Sequence, residues 1–289
     1  VALAHDTRVT RLTWTDLAFE LDEGLTWPRS SASLEWRHAS WPAGGGLTEQ
    51  LWALTQGGDV RADRLDLALL ARLANRLPLA SSVRTSLADL APQGVVEDLR
   101  WQWEGRPEAP QRYTAAGRVR GLAWAPDAAS GRPGLAGADV TVTASEQGGE
   151  ADLSVAGGWM AFPGVFELPE VPLDRLRSRV TWRMQPGASG QPAAFELRVR
   201  EAEFANPDAR GRLSGRWQTG DGAKRLPGRL QLDGELQQAR ADRVWRYLPL
   251  EIPKGARDYV QHALREGKGE RVVFEVRGDL DAFPFKDDR

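Results

Sequence analysis

Leu99-Arg100-Trp101-Gln102-Trp103-Glu104 and Phe195-Glu196-Leu197-Arg198-Val199-Arg200 decide how this chain is read. In both, large apolar side chains alternate with charged or amide ones, and a period of two places the two sets on opposite faces of an extended strand. The alternation recurs in both directions from there. Leu17, Phe19 and Leu21 oppose Asp16, Glu20 and Asp22; Leu34 and Trp36 oppose Glu35 and Arg37; Val140 and Val142 oppose Thr141 and Thr143. Later, Leu230 and Leu232 oppose Gln231 and Asp233, while Val272, Phe274 and Val276 oppose Arg271, Glu275 and Arg277, with Val273 breaking the pattern. Turn signals separate these runs at residues 44–46, at Gly57-Gly58-Asp59, at 131–134, at Gly148-Gly149, at 186–190 and at 220–222. Many short strands in series argue for an antiparallel meander and against βαβ units. The expected fold is mainly β with helical insertions, an elongated, twisted antiparallel sheet with one apolar face. No linker divides it, so residues 1–289 are read as one continuous β-rich segment.

Two helical insertions interrupt the strands. Between Ala62 and Leu77, the residues Leu65, Leu69, Leu70, Leu73 and Leu77 share a helical face and Pro78 ends the run; a second short helix follows from a cap at Ser81 or Ser82 to Pro92 and Gly94. Together they place helix near residues 62–91. The other insertion, residues 253–266, opens at Pro253, carries Ala256, Tyr259, Val260, Ala263 and Leu264 on one face, and ends near Gly267.

Composition sets the outer limits. With 41% hydrophobic and 27% charged residues the chain is neither disordered nor membrane-embedded in composition. A net charge of -2 with interspersed signs offers no basic stripe for phosphates, so nucleic acid is not an expected partner. The absence of Cys removes thiol catalysis, disulfides and thiolate metal sites, and fits either a reducing cytosol or a periplasmic protein that avoids disulfides. The sequence opens at Val1 without a basic stretch followed by an apolar core and holds no apolar run of about eighteen residues, so the expectation is a piece that does not insert by itself, with any membrane anchor outside it. The twelve Trp suggest broad apolar surfaces being filled or lined, plain core packing being the simpler alternative.

No catalytic motif appears. There is no Gly-x-Ser-x-Gly elbow; Arg210-Gly211-Arg212-Leu213-Ser214-Gly215 lacks its spacing. His5, His38 and His262 are far apart in sequence and form no zinc pair, and no glycine pattern leads into a phosphate-binding helix. Carboxylate pairs such as Glu203 with Asp208, or Asp279 with Asp281, read as solvated or turn positions. The expectation is a protein that is not an enzyme and takes no cofactor or metal.

The second half is specific enough for a family resemblance. Ala194-Phe195-Glu196-Leu197, the run 202–211 (Ala-Glu-Phe-Ala-Asn-Pro-Asp-Ala-Arg-Gly), Pro227-Gly228, Arg246-Tyr247-Leu248-Pro249-Leu250, the helix 256–267 and Gly278-Asp279-Leu280-Asp281-Ala282-Phe283-Pro284-Phe285 resemble the YhdP family of large AsmA-like proteins. Gly164-Val165-Phe166-Glu167-Leu168-Pro169 and the Leu-rich helix near Leu65 are compatible with it. The resemblance implies a periplasmic protein tethered to the inner membrane of a Gram-negative bacterium by a segment absent from this chain. It also implies a sheet folded into an apolar trough that moves phospholipid between the two membranes as a bridge.

On that reading Leu99, Trp101, Trp103, Val140, Val142, Phe195, Leu197, Val199, Leu230, Leu232, Val272, Phe274 and Val276 line the trough, and Tyr259, Val260, Ala263 and Leu264 belong to a helix that closes one side. The expected partners are phospholipid acyl chains, a membrane met through parts outside this chain, and other envelope proteins. The alternative is an envelope scaffold whose apolar face is filled by its own second layer, with sheet edges free for partners.

Overall fold

The computed structural model describes residues 1–6, 8–21, 25–39, 55–74, 81–185, 193–220 and 228–282. The expected turns at 44–46, 186–190 and 221–222, Asp22, the helix end at Leu77-Pro78 and the Phe283-Pro284-Phe285 ending lie outside the described residues. In chain order the elements are β1 (Ala2–His5), β2 (Val9–Leu21), β3 (Leu25–His38), β4 (Thr55–Asp66), α1 (Leu67–Leu73), α2 (Ser81–Leu90), β5 (Gln93–Arg106), β6 (Ala109–Trp124) and β7 (Gly134–Ser145). There follow β8 (Gly148–Ala161), β9 (Glu170–Gln185), β10 (Ala194–Ala205), β11 (Ala209–Gln218), β12 (Arg229–Arg240), a 3-10 helix (Ala241–Tyr247), α3 (Lys254–Ala263), β13 (Lys268–Gly269) and β14 (Val272–Asp279). Among the described residues the strands form a 14-stranded open sheet in chain order up to β13, with β14 also pairing β12. The pairings described are antiparallel.

The chain forms two compact units. The first holds Val1–Ala125 with Asp139–Glu146, the second Pro126–Ala138 with Gln147–Arg289.

In the first unit β2 to β6 are successive antiparallel partners, with β1 on the edge of β2. The strands bend at bulges where an extra residue enters the ladder, and two of these hold Asp in the left-handed region: Asp16 (φ 50) and Asp98 (φ 53). Asp is among the few non-glycine residues that tolerate this conformation.

The first helix starts later than its leucine spacing suggests. Ala62 to Asp66 continue β4 against β5, with Ala62 opposite Leu99 and Leu65 opposite Val96. The helix begins only where the Asp66 carboxylate accepts the Leu69 N–H at 3.0 Å, an N-cap that the leucine spacing does not reveal. Likewise Gly57-Gly58-Asp59 is no turn but part of β4, because Gly58 lies opposite Trp36 and Trp103 and the Trp103 ring needs the space. The second helix, α2, ends as expected before Pro92, with Ala91 turned left-handed (φ 41).

The second unit repeats the plan with β8 to β12 and β14. At one end of these strands the loop 162–169, the Asn206-Pro207-Asp208 turn, the 3-10 helix and α3 form a cap. Phe166 bridges to Pro249, and the Leu250 N–H donates to the Val165 carbonyl at 2.9 Å. Helix α3 opens at Pro253 as expected and closes at Ala263, with the Leu264 N–H on the Val260 carbonyl, one turn before Gly267.

Candidate functional site

Register turns the alternation of single strands into continuous surfaces, because residues directly opposite in an antiparallel ladder point to the same face. In the first unit, Leu3, Leu12, Leu34, Val60, Trp101 and Ala115 are successive partners from β1 to β6. Flanking rows run Trp14, Ala32, Ala62, Leu99 and Thr10, Trp36, Gly58, Trp103, Tyr113. The row between is polar, Arg11, Glu35, Asp59, Gln102 and Thr114, and faces the other way. There Arg11 pairs with Glu35, and the Gln102 amide donates to Asp59 at 2.9 Å.

The second unit is more complete. Four rows cross β8, β9, β10, β11, β12 and β14: Gly149, Trp182, Leu197, Trp217, Leu230, Gly278; then Ala151, Val180, Val199, Gly215, Leu232, Val276; then Leu153, Ser178, Ala202, Leu213, Gly234, Phe274; then Val155, Leu176, Phe204, Gly211, Leu236, Val272. Ser178 is the single hydroxyl among them. The rows between read Glu150, Thr181, Arg198, Arg216, Gln231, Arg277 and Ser154, Arg177, Glu203, Arg212, Glu235, Val273. Val273, the exception in the alternation, thus sits on the charged face and is 67% exposed.

The sheet brings the expected lining residues together within each unit. Trp101 and Trp103 stack with ring centroids 4.4 Å apart beside Leu99. Val199, Leu232 and Val276 fall in one row; Leu197 and Leu230 meet through Trp217; Phe195 packs 6.0 Å from Trp217. Phe274 and Val272 stand in the two rows nearest the cap. Val140 and Val142 are half-buried on β7, with Thr141 and Thr143 exposed between them.

Sequence reading passed over Val180, Trp182, Leu213 and Trp217. The signal was present in Val180-Thr181-Trp182-Arg183-Met184. In β11 it was muted, because two of the four apolar-face positions, Gly211 and Gly215, carry no side chain.

Most of these positions are half-buried rather than buried. The cause is architectural: among the described residues of each unit, strands pack chiefly on their ladder neighbours, α1 touches β4 and β5, and the 3-10 helix touches β12. The described strands all belong to one sheet. The indole N–H groups of Trp36 and Trp103 and the Ser178 hydroxyl are buried without hydrogen-bond partners, a cost that marks how apolar this side is.

The charged face behaves oppositely. Glu196 is buried beneath Arg198 and Arg216; burial alone raises its pKa, but the two arginines outweigh that and hold the carboxylate below its ordinary value. At the cap, Asp208 accepts from Arg246 at 2.6 Å and from the Tyr247 hydroxyl at 3.0 Å, and the Asn206 amide donates to that same hydroxyl. Burial and the Asp208 carboxylate push the Tyr247 phenol up to about 12.

Helix α3 packs mainly on the 3-10 helix, held by Arg257, which donates to Glu167 at 2.7 Å and to the Ile252 carbonyl at 3.0 Å. Of its expected covering residues, Val260 is half-buried, whereas Ala263 and Leu264 are exposed and Tyr259 is 73% exposed.

Among the described residues no group of three or more His, Asp or Glu is placed to hold a metal ion. An open recess in the first unit has the charged residues Arg37, Glu104, Arg106 and Glu108 among its lining, with Ala39 and Ala109 beside them. No described helix is long and apolar enough to cross a membrane. Neither a curated protein nor a solved structure matches the chain. A family model, YhdP protein, does so over residues 6–289, and the chain therefore belongs to the YhdP family.

Proposed function

We propose that this chain is a segment of a periplasmic, bridge-like protein that carries phospholipid between the inner and outer membranes, its apolar sheet faces holding the acyl chains. The observation that supports this reading is the set of unbroken apolar rows, four deep in the second unit, with charged rows confined to the opposite face. Burying a methylene is worth about 0.8 kcal/mol, so hydrocarbon is held by area alone and no polar motif is needed. Membership of the YhdP family, which suggests lipid transfer, agrees with this. Tethering to the inner membrane belongs to a segment outside this chain, and the chain performs no catalysis. The scaffold alternative requires a second layer over the same rows, whereas the described strands join a single sheet.

The test is direct. Protein extracted gently from envelopes and examined by mass spectrometry carries phospholipid, and labelled phospholipid binds the purified chain. Recovery free of lipid, together with no binding of the label, rejects the proposal.

A further inference from the structure

The apolar faces contain glycines at positions where a strand normally presents a side chain, and the cross-strand partner covers each of the four in question. An added Cβ on Gly234 would run into the tip of the Phe274 ring, and one on Gly58 into the six-membered ring of Trp103. One on Gly215 would meet the Gln231 carbonyl at 2.9 Å and then Leu232 Cδ1 at 3.2 Å, and one on Gly211 the Glu235 carbonyl at 2.4 Å and then Leu236 Cδ2 at 3.1 Å, so at these two the neighbouring backbone is the first obstacle and the leucine the second. In every case glycine and cover are direct ladder partners. A ring laid across a glycine fills the hollow at the missing side chain and lies low over the backbone. The arrangement occurs in both units, so it is not an accident of one hairpin.

Resting on the lipid-carrying reading, we propose that these glycine and cover pairs are positioning residues that level the floor beneath the acyl chains. A levelled floor offers neither a hollow that traps a hydrocarbon tail nor a ridge that blocks it, so lipid slides along the face. Gly234 and Phe274 are the pair to test, because Phe274 is only half-buried and stands directly opposite Gly234 in an apolar row.

The experiment uses the whole chain in three forms, Gly234→Ala, Phe274→Ala and the double variant, alongside the original. Each is checked for fold by its circular dichroism melt. The readouts are binding of fluorescent phosphatidylethanolamine and its rate of transfer between vesicles of phosphatidylethanolamine and phosphatidylglycerol. Gly234→Ala lifts the ring and slows transfer about fivefold, a modest overpacking effect. Phe274→Ala opens a hollow, retains the probe longer and also slows transfer. In the double variant the new methyl group occupies the space the ring has left, and transfer returns to within about twofold of the original, a non-additive outcome typical of residues in contact.

Single variants that transfer at the original rate, or single effects that simply add in the double, overturn the proposal. If Gly234→Ala fails to fold, slower release from Phe274→Ala and its reversal in the double variant still decide it. An original chain that binds no phospholipid overturns the lipid-carrying reading itself, an outcome distinct from either.

Discussion

The Tyr247 hydroxyl donates to the Asp208 carboxylate at 3.0 Å, tying the 3-10 helix at the cap to the turn between β10 and β11 across 39 residues of sequence. Because the folded chain raises this phenol from 10.0 to about 12, it binds the proton more tightly folded than unfolded. The contribution to stability is therefore complete below pH 10.0 and is lost as pH climbs toward about 12. Tyr247→Phe keeps the edge-on contact with Phe166 but removes the hydroxyl. Its unfolding free energy falls by about 1–3 kcal/mol at neutral pH. The gap from the original chain narrows over that alkaline window in urea melts.

Glu196 tests the charged face in the acid direction. Its carboxylate lies under Arg198 and Arg216 with a depressed pKa, so the stability it supplies is present above the ordinary glutamate range and disappears as pH falls through the folded value. Glu196→Gln lowers stability by about 1 kcal/mol at pH 7, discounted because both arginines are substantially solvated. The variant and the original converge in strongly acidic melts.

Leu232 and Gln231 are neighbours in β12 on opposite faces. Leu232→Lys places a charge among the apolar rows proposed to hold hydrocarbon, and labelled phospholipid binding falls by about tenfold or more. Gln231→Lys joins a row that already holds Arg216 and Arg277, and binding stays within about twofold. Equal losses in the two variants would contradict the assignment of faces.

Arg257→Ala releases α3 from Glu167 and the Ile252 carbonyl. Amide hydrogen exchange in Lys254–Ala263 rises by about tenfold while exchange in β9 and β10 is unchanged, as expected of a local opening. Uniform acceleration over the second unit would instead make Arg257 part of its global stability.

Most of the fold was legible because period-two alternation is a property of single strands. Leu99, Trp101 and Trp103, or Phe195, Leu197 and Val199, reveal their face without knowledge of any partner. What could not be read were features set by partners. The Gly57-Gly58 pair looks like a turn until Trp103 is seen to need the space. Leu65 looks helical until Val96 is found opposite it, and the start of α1 depends on one carboxylate at Asp66. The lining was legible where the alternating residues were large and obscure in β11, where glycine holds every second position of the apolar face. The outward position of Tyr259 was hidden for a related reason: α3 is seated by Arg257, a charged residue that amphipathic spacing assigns to solvent.

The extra residue around Arg200, where the register shifts between Val199 and Glu201, constrains how this sequence can evolve. Up to it the odd-numbered residues Phe195, Leu197 and Val199 face the apolar side; beyond it the even-numbered Ala202 and Phe204 do. Losing Arg200 or Glu201 alone would leave Val199, Ala202 and Phe204 in regular alternation on the same face, so the bulge can absorb the loss, whereas losing one residue from a regular stretch of ladder exchanges the two faces beyond it. A change of length within a strand can therefore persist where a bulge is gained or lost with it. Other changes of length are confined to the turns, where whole hairpins can be gained or lost without exchanging the two faces.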